Sequence, residues 1–330
     1  MKSIRTILLP LLLAALFTVS AHAASYSDVP KNNWAYDTIN RATELNLISG
    51  VGNGKFGLGQ KLTRAEYAVM LCRVMDWELL APAEGNFTDN RNPKEWYYSA
   101  VETAYAHGAL RKVGDKAGVQ EALTREELTA MTVRALGYAT LAAIVQDDCP
   151  FTDVSTNAGY IALAYHTGLV TGIGKTTFFP AKLTNREEAT AILLRIYDAL
   201  HADIASETVS APGAGAVVVE PLNDRDGRIP ICPRAPLEGV YEAALRAGRG
   251  GAVALHTAPY NATADRTLRA TELRSLLSSS SSRVYRSSRY ESSYLTRTDR
   301  VVWFEAEEDI AAKLTLCRLM GIKTVYLLQS

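Results

Sequence analysis

Apolar residues recur through the first half of the chain with the period of a helix, twice in each of three successive segments. In the first segment Ala35, Ile39 and Ala42 fall at i, i+4 and i+7, on one helical face. Leu45, Leu47 and Ile48 extend that run, and Gly50 is the expected C-cap. The loop Gly50-Val51-Gly52-Asn53-Gly54-Lys55-Phe56 follows; its glycines permit positive φ, and Phe56 can plug the core. A second helix is predicted to start at Thr63, with Ala68, Leu71, Cys72 and Met75 at helical spacing.

The pattern is a repeat. Leu62-Thr63-Arg64-Ala65-Glu66 returns as Leu123-Thr124-Arg125-Glu126-Glu127 and as Thr184-Asn185-Arg186-Glu187-Glu188, so the arginines stand 61 residues apart both times. Upstream of each lies a matching start: Tyr26-Ser27-Asp28-Val29-Pro30, Phe87-Thr88-Asp89 and Phe151-Thr152-Asp153-Val154. Three helix-loop-helix copies are therefore expected at 24–84, 85–147 and 148–203. They are unequal. The third keeps Thr171-Gly172-Ile173-Gly174 and Phe179, whereas the second carries Leu110-Arg111-Lys112-Val113-Gly114-Asp115-Lys116-Ala117-Gly118 and lacks the aromatic plug, which predicts a weaker or merely supporting groove.

Thr63 with Glu66 and Thr124 with Glu127 read as capping boxes, and Asn185 with Glu188 as the asparagine version. Capping does not explain the arginine beside each. A cation at a helix N-terminus faces the positive end of the macrodipole, a placement unfavourable by roughly 0.3–1 kcal/mol. Two compensations are open. The helix end and the guanidinium together form an anion site that grips a carboxylate or phosphate, or each arginine pairs with an aspartate of a neighbouring repeat.

Beyond residue 203 the pattern changes. Residues 204–215 have a linker composition, and 216–330 alternate short apolar runs with a helix. Ala216-Val217-Val218-Val219 and Ala252-Val253-Ala254-Leu255 read as buried strands flanking a helix over 237–247, a small α/β module. The stretch 278–293, serine-rich with Arg283, Arg286 and Arg289, is a solvated loop or edge strand, with a basic glycan-contacting patch as the alternative.

Composition narrows the function classes. Lys2 and Arg5, an apolar run over 7–19 and Ala21-His22-Ala23 form a signal peptide with its cleavage site, so 1–23 are set aside and no transmembrane segment is expected to remain. Without Lys2 and Arg5, 33 basic side chains face 35 acidic ones, a formal charge near −2 that gives no case for nucleic acid or anionic membrane. Cys72, Cys149, Cys232 and Cys317 stand singly, a spacing that offers no zinc site, and no cofactor is implied. Secretion permits a disulfide, yet Cys72 and Cys317 lie in helix-like apolar stripes and read as buried thiols.

The three units resemble S-layer homology domains: the F-x-D-V start, the W-A-Y helix, the G-x-G-x-G-x-F loop and the T-R-A-E helix start. The resemblance implies a mainly α fold, three helix-loop-helix repeats in one pseudo-threefold unit, here followed by the small α/β module. It implies non-covalent anchoring at the cell surface, inter-repeat grooves binding a secondary cell-wall polymer that often carries a pyruvylated amino sugar, and a possible surface-layer self-association. Residue by residue, Arg64, Arg125 and Arg186 match the glycan-contacting arginine. Asp28, Asp89 and Asp153 match the opening aspartate, expected to bond sugar hydroxyls or orient the arginine. Trp34, Trp96 and, in the third copy, Tyr160 match the aromatic that covers a sugar face, with core packing as the alternative.

The tail, Val301-Val302-Trp303-Phe304-Glu305, then 310–322, then Val325-Tyr326-Leu327-Leu328, resembles the closing helix and strand of family 18 glycoside hydrolase-like barrels. That resemblance raises the alternative of an anchored enzyme acting on a cell-wall, chitin-like or spore glycan. Its acid-bearing D-x-x-D-x-D-x-E strand is missing, and about 115 residues cannot make a barrel of roughly 250. Glu220, Asp224, Asp226, His256 and Glu305 are then solvated or structural, and the chain is expected not to be an enzyme.

Overall fold

The computed structural model describes residues 26–220 and 233–329; the expected signal peptide, Asp224, Asp226 and Cys232 lie outside them. The first helices of the three copies are α1 (Tyr36–Glu44), α3 (Tyr98–Ala106) and α6 (Ala158–His166), and the second helices are α2 (Arg64–Val74), α4 (Arg125–Ala135) and α7 (Arg186–His201). The second copy adds α5 (Ala139–Ile144) and a short 3-10 turn, Gln146–Asp148, which the periodicity did not predict.

The first helices end earlier than the apolar run suggests. α1 stops at Leu45, and Asn46 takes the left-handed conformation, φ 57°, with Gly108 and Gly168 at the matching positions of the other copies. Gly50 is no C-cap. A Cβ there would lie 2.4 Å from the Lys55 carbonyl oxygen and 2.6 Å from the Tyr26 ring, so this glycine answers to close packing inside the loop.

Each second helix starts one residue after its capping side chain, so the arginine is its first residue in all three copies. Thr63 Oγ1 accepts from Glu66 N at 3.2 Å, and Thr63 N donates to Glu66 Oε2 at 2.8 Å. The copies join in a ring: Leu62 N donates to Thr184 O, Thr184 N to Leu123 O and Leu123 N to Leu62 O, at 3.1, 2.9 and 2.8 Å. Each second helix then packs on the first helix of the following copy, α2 on α3, α4 on α6 and α7 on α1. Phe56 and Phe178 plug the copies with no exposed surface, and Ala117 fills that place in the second. The plug of the third copy is thus Phe178. Phe179 is turned outward at φ 63° and is 56% exposed.

The C-terminal unit contains a four-stranded parallel sheet and a five-stranded antiparallel one. The parallel sheet runs in the order β1 (Ala205–Val209), β9 (Thr324–Leu328), β3 (Ala252–His256), β2 (Val217–Val218). α8 (Leu237–Ala247) and α10 (Glu307–Leu319) accompany it. The second sheet orders β5 (Arg266–Thr267), β4 (Tyr260–Asn261), β8 (Arg300–Phe304), β7 (Ser292–Arg297) and β6 (Arg283–Ser287), with α9 (Ala270–Leu277) beside them in sequence. The expected linker contains β1, which pairs in register with β9, and the serine-rich stretch contains the edge strand β6.

One apolar core runs from the repeats through α8, α10, β3 and β9. The seam also has polar ties: Tyr138 Oη donates to Ala312 O at 3.1 Å, and Tyr241 Oη is hydrogen-bonded to His166 Nδ1 at 2.5 Å. The α/β unit is seated on the repeats. Among the described residues, no helix is long and apolar enough to cross a membrane.

Candidate functional site

The ring topology decides what the helix-start arginines touch. Their backbone N–H groups are taken by a neighbouring copy: Arg64 N donates to Glu121 O, Arg125 N to Lys182 O and Arg186 N to Gln60 O, at 2.9, 2.8 and 3.0 Å. The helix-end half of the expected anion site is therefore already filled, because the chain leading into each second helix crosses the start of its neighbour. The guanidiniums reach in the ring direction. Arg64 is ion-paired with Glu127, and its Nη2 donates to Arg111 O at 3.2 Å. Arg186 is paired with Glu66 at 3.3 Å and donates to Ser49 O at 2.6 Å. Arg125 donates to Thr171 O, while the equivalent glutamate, Glu188, is held by Lys182 at 2.5 Å.

The arginines thus clamp adjacent repeats, and the carboxylate partner of Arg64 and Arg186 is the neighbour's glutamate three residues into its second-helix start rather than an aspartate, whereas Arg125 holds only a carbonyl. Arg64 and Arg186 are 4% and 6% exposed. Burial pulls Arg186 below its ordinary pKa, and Glu66 opposes that pull. The clamps are incomplete, since Nε of Arg64, Arg125 and Arg186 is buried without a hydrogen-bond partner.

The aspartates lie elsewhere. Asp28 accepts from Phe56 N, Gly57 N and Leu58 N at 2.8, 2.8 and 3.1 Å. Asp89 does the same for Ala117, Gly118 and Val119, and Asp153 for Phe178 and Phe179. Burial alone would raise these carboxyls, but the backbone donors outweigh it and hold them below the ordinary 3.8. Each aspartate fastens the loop of its own repeat, which keeps the loop of the second copy in shape without an aromatic plug.

The aromatics face outward. Trp34 and Trp96 are 63% and 65% exposed, and Tyr160 is half-buried. A groove of about 320 Å³ collects Ser49, Gly50, Glu66 and Arg73 of the first copy, Trp96 of the second and Arg186 of the third. At the next junction Arg64 of the first copy, Glu127 of the second and Tyr160 of the third converge, the last through Arg111 Nη2 at 3.4 Å from Tyr160 Oη. The structure brings Arg186 with Trp96, and Arg64 with Tyr160, together across repeats and leaves the aspartates out.

Sequence reasoning missed a second set of arginines. Arg73, Arg134 and Arg195 stand nine residues after the first set and repeat at the same spacing of 61. Arg73 Nη1 donates to Ser49 Oγ at 3.3 Å, Arg134 Nη1 to Ala109 O at 2.7 Å and Arg195 Nη1 to Leu169 O at 2.9 Å. None of the three has a carboxylate partner among the described ion pairs, so none of these guanidiniums is neutralised by a salt bridge there. The 61-residue register would have found them. Helix formers with long side chains attract no notice in an amphipathic run.

The S-layer homology domain family matches residues 25–68 and 150–190, the first and third copies of the ring. The chain thus carries S-layer homology domains at these positions. An exoglucanase, XynX, of Acetivibrio thermocellus is 28% identical over 178 residues, 52% of this chain and 16% of that protein. An amylopullulanase of Thermoanaerobacterium thermosulfurigenes is 30% identical over 176 residues, covering 51% and 9%. An S-layer protein of Bacillus thuringiensis subsp. finitimus is 27% identical over 117 residues, covering 36% and 14%. The chain spans less than a fifth of these three relatives, and the enzymes match through their S-layer homology regions. With that module it is a secreted protein of the cell surface.

Proposed function

We propose that this protein anchors non-covalently to the bacterial cell wall by binding an anionic secondary cell-wall polysaccharide, in the simplest case a pyruvylated one, in the grooves between its repeats. The observation that carries this reading is the convergence of Arg73, Trp96 and Arg186, from three different repeats, on one groove. An exposed indole is matched to the apolar face of a sugar ring. Two guanidiniums against one carboxylate leave a net positive charge for a ketal carboxylate, which an arginine fork can hold bidentately. The ring of hydrogen bonds supports a pseudo-threefold unit, since a groove of this kind exists only where consecutive copies meet.

The test is co-sedimentation of the full chain with cell-wall sacculi. Binding is expected, with loss when the polymer is stripped or de-pyruvylated and a weakening of about tenfold in Trp96→Ala. Indifference to both treatments overturns the reading.

The C-terminal unit is read here as non-catalytic. Glu305, the acid of the hydrolase-like tail, has a side chain that is 5% exposed, is ion-paired with Lys313, and accepts from Ser292 Oγ at 2.9 Å. Burial pushes it up to about 6 against the opposing pull of Lys313 and Ser292. An acid enclosed in this way has no path to a glycosidic oxygen. Release of reducing sugar from chitin or peptidoglycan by the full chain, abolished in Glu305→Gln, would reverse this part of the reading.

A further inference from the structure

The second junction differs from the first in one residue that reverses its expected weakness. Ser49, Arg111 and Thr171 are equivalent, because the main-chain carbonyl of each receives the helix-start arginine of the preceding repeat. Two copies have a small hydroxyl there and the second has an exposed guanidinium. Arg111 Nη2 lies 3.4 Å from the Tyr160 hydroxyl, and the Arg134 guanidinium lies 5.5 Å from the centre of the same ring. Arg64 stands behind them, 4% exposed, with its Nη2 on the carbonyl of Arg111.

The guanidiniums of Arg111 and Arg134 thus flank one phenol with Arg64 behind them; Glu127 is ion-paired with Arg64, and the Glu121 carboxylate lies near the Arg64 side chain beside Gly118. Nε of both Arg64 and Arg134 is buried without a partner. Burial, then the nearby Arg111 and Arg64, pull the Arg134 guanidinium down to about 10, against Tyr160 and Glu127. Like charges gathered this closely at a half-buried site are stable when an anion joins them.

We infer that this junction, resting on the anchoring reading above, is a site for a doubly charged phosphoryl group, a phosphate monoester borne on a sugar, and so differs in ligand class from the carboxylate-sized charge of the first groove. A phosphate monoester offers three oxygens and up to two charges at one point, which suits guanidiniums arriving from Arg111, at the Tyr160 hydroxyl, and from Arg134, at the ring. A single carboxylate has one charge and two oxygens, and would leave one fork unmatched.

The experiment titrates the full chain by calorimetry with glucose 6-phosphate, inorganic phosphate and pyruvate at constant ionic strength. Phosphate-ester binding is expected to strengthen from pH 5 to pH 7.5, as the second proton leaves near a pKa of about 6. Arg111→Ser, which restores the residue of the first copy, is expected to weaken it about tenfold or more while leaving pyruvate binding unchanged. Arg111 is exposed, and an unchanged unfolding temperature verifies that the variant folds. Tighter binding of the sugar phosphate than of inorganic phosphate assigns the site to a phosphorylated sugar; equal binding assigns it to the phosphoryl group itself. No phosphate binding, or phosphate binding untouched by Arg111→Ser, overturns the inference. Sacculus co-sedimentation of the same variant keeps the two readings apart: a chain that sediments yet ignores phosphate refutes this site alone, and one that fails to sediment in wild-type form refutes the anchoring.

Discussion

Arg186 and Arg73 line one groove, and replacing each by alanine separates the role of clamp from the role of ligand contact. Arg186 is 6% exposed; its alanine variant loses an ion pair at 3.3 Å to Glu66, a hydrogen bond at 2.6 Å to Ser49 O and a position 5.4 Å from the Phe56 ring. Removing one member of a largely buried pair, together with a charged hydrogen bond, costs on the order of 3 kcal/mol. For a domain of this size each kcal/mol moves the melting temperature by roughly 2–4 °C, so a fall of about 6–12 °C is expected. Arg73 is exposed and makes one bond, at 3.3 Å to Ser49 Oγ, so its alanine variant is expected to move the melting temperature by no more than ~2 °C. Circular dichroism at 222 nm reads both. Co-sedimentation is then meaningful for Arg73→Ala, where a tenfold loss is expected from one charge-assisted contact. An Arg186→Ala chain that melts with wild type, or an Arg73→Ala chain that melts as low as Arg186→Ala, refutes the division of roles.

Three further outcomes follow from the packing. Lys313 and Glu305 are 1% and 5% exposed, so Glu305→Gln alone should cost ~3 kcal/mol by leaving a buried ammonium, whereas Lys313→Met with Glu305→Leu should return close to wild type in urea midpoint; equal losses in both would refute the pair. The carboxyls of Asp28, Asp89 and Asp153 sit below their ordinary 3.8, so the stability they add is complete above that value and is lost as pH falls through the lowered one. Asp28→Asn should flatten that acid limb of the melting profile. Burial pushes Cys72 and Cys317 up to about 12, so in the native chain they should resist a thiol reagent while the half-buried Cys149 reacts, as peptide mapping after alkylation would read.

The helices were legible because amphipathic spacing and capping chemistry are local. Thr63, Thr124 and Asn185 mark their helix starts to the residue, since the threonine hydroxyls accept from the backbone three residues on and Asn185 N donates to the Glu188 carboxylate. The C-terminal helix over 237–247 and the strand over 252–255 were legible from equally local apolar runs. β1 was hidden because its partner β9 lies more than a hundred residues downstream, and no local pattern marks an exposed strand in a Ser-, Thr- and Ala-containing stretch.

The chain alone determined three copies of one unit and the arginines that recur with them, because period and register are properties of order along a sequence. Only the tertiary structure decided what those side chains do. Closing the copies into a ring puts a neighbour's carbonyl on every second-helix N-terminus and pairs Arg64 and Arg186 with a neighbour's glutamate, so charges that look available in sequence become clamps. The same closure carries Trp96 to Arg73 and Arg186, and Tyr160 to Arg111 and Arg134, since each groove draws on all three repeats at once. Contacts between residues 49 to 137 positions apart leave no trace in any helical period.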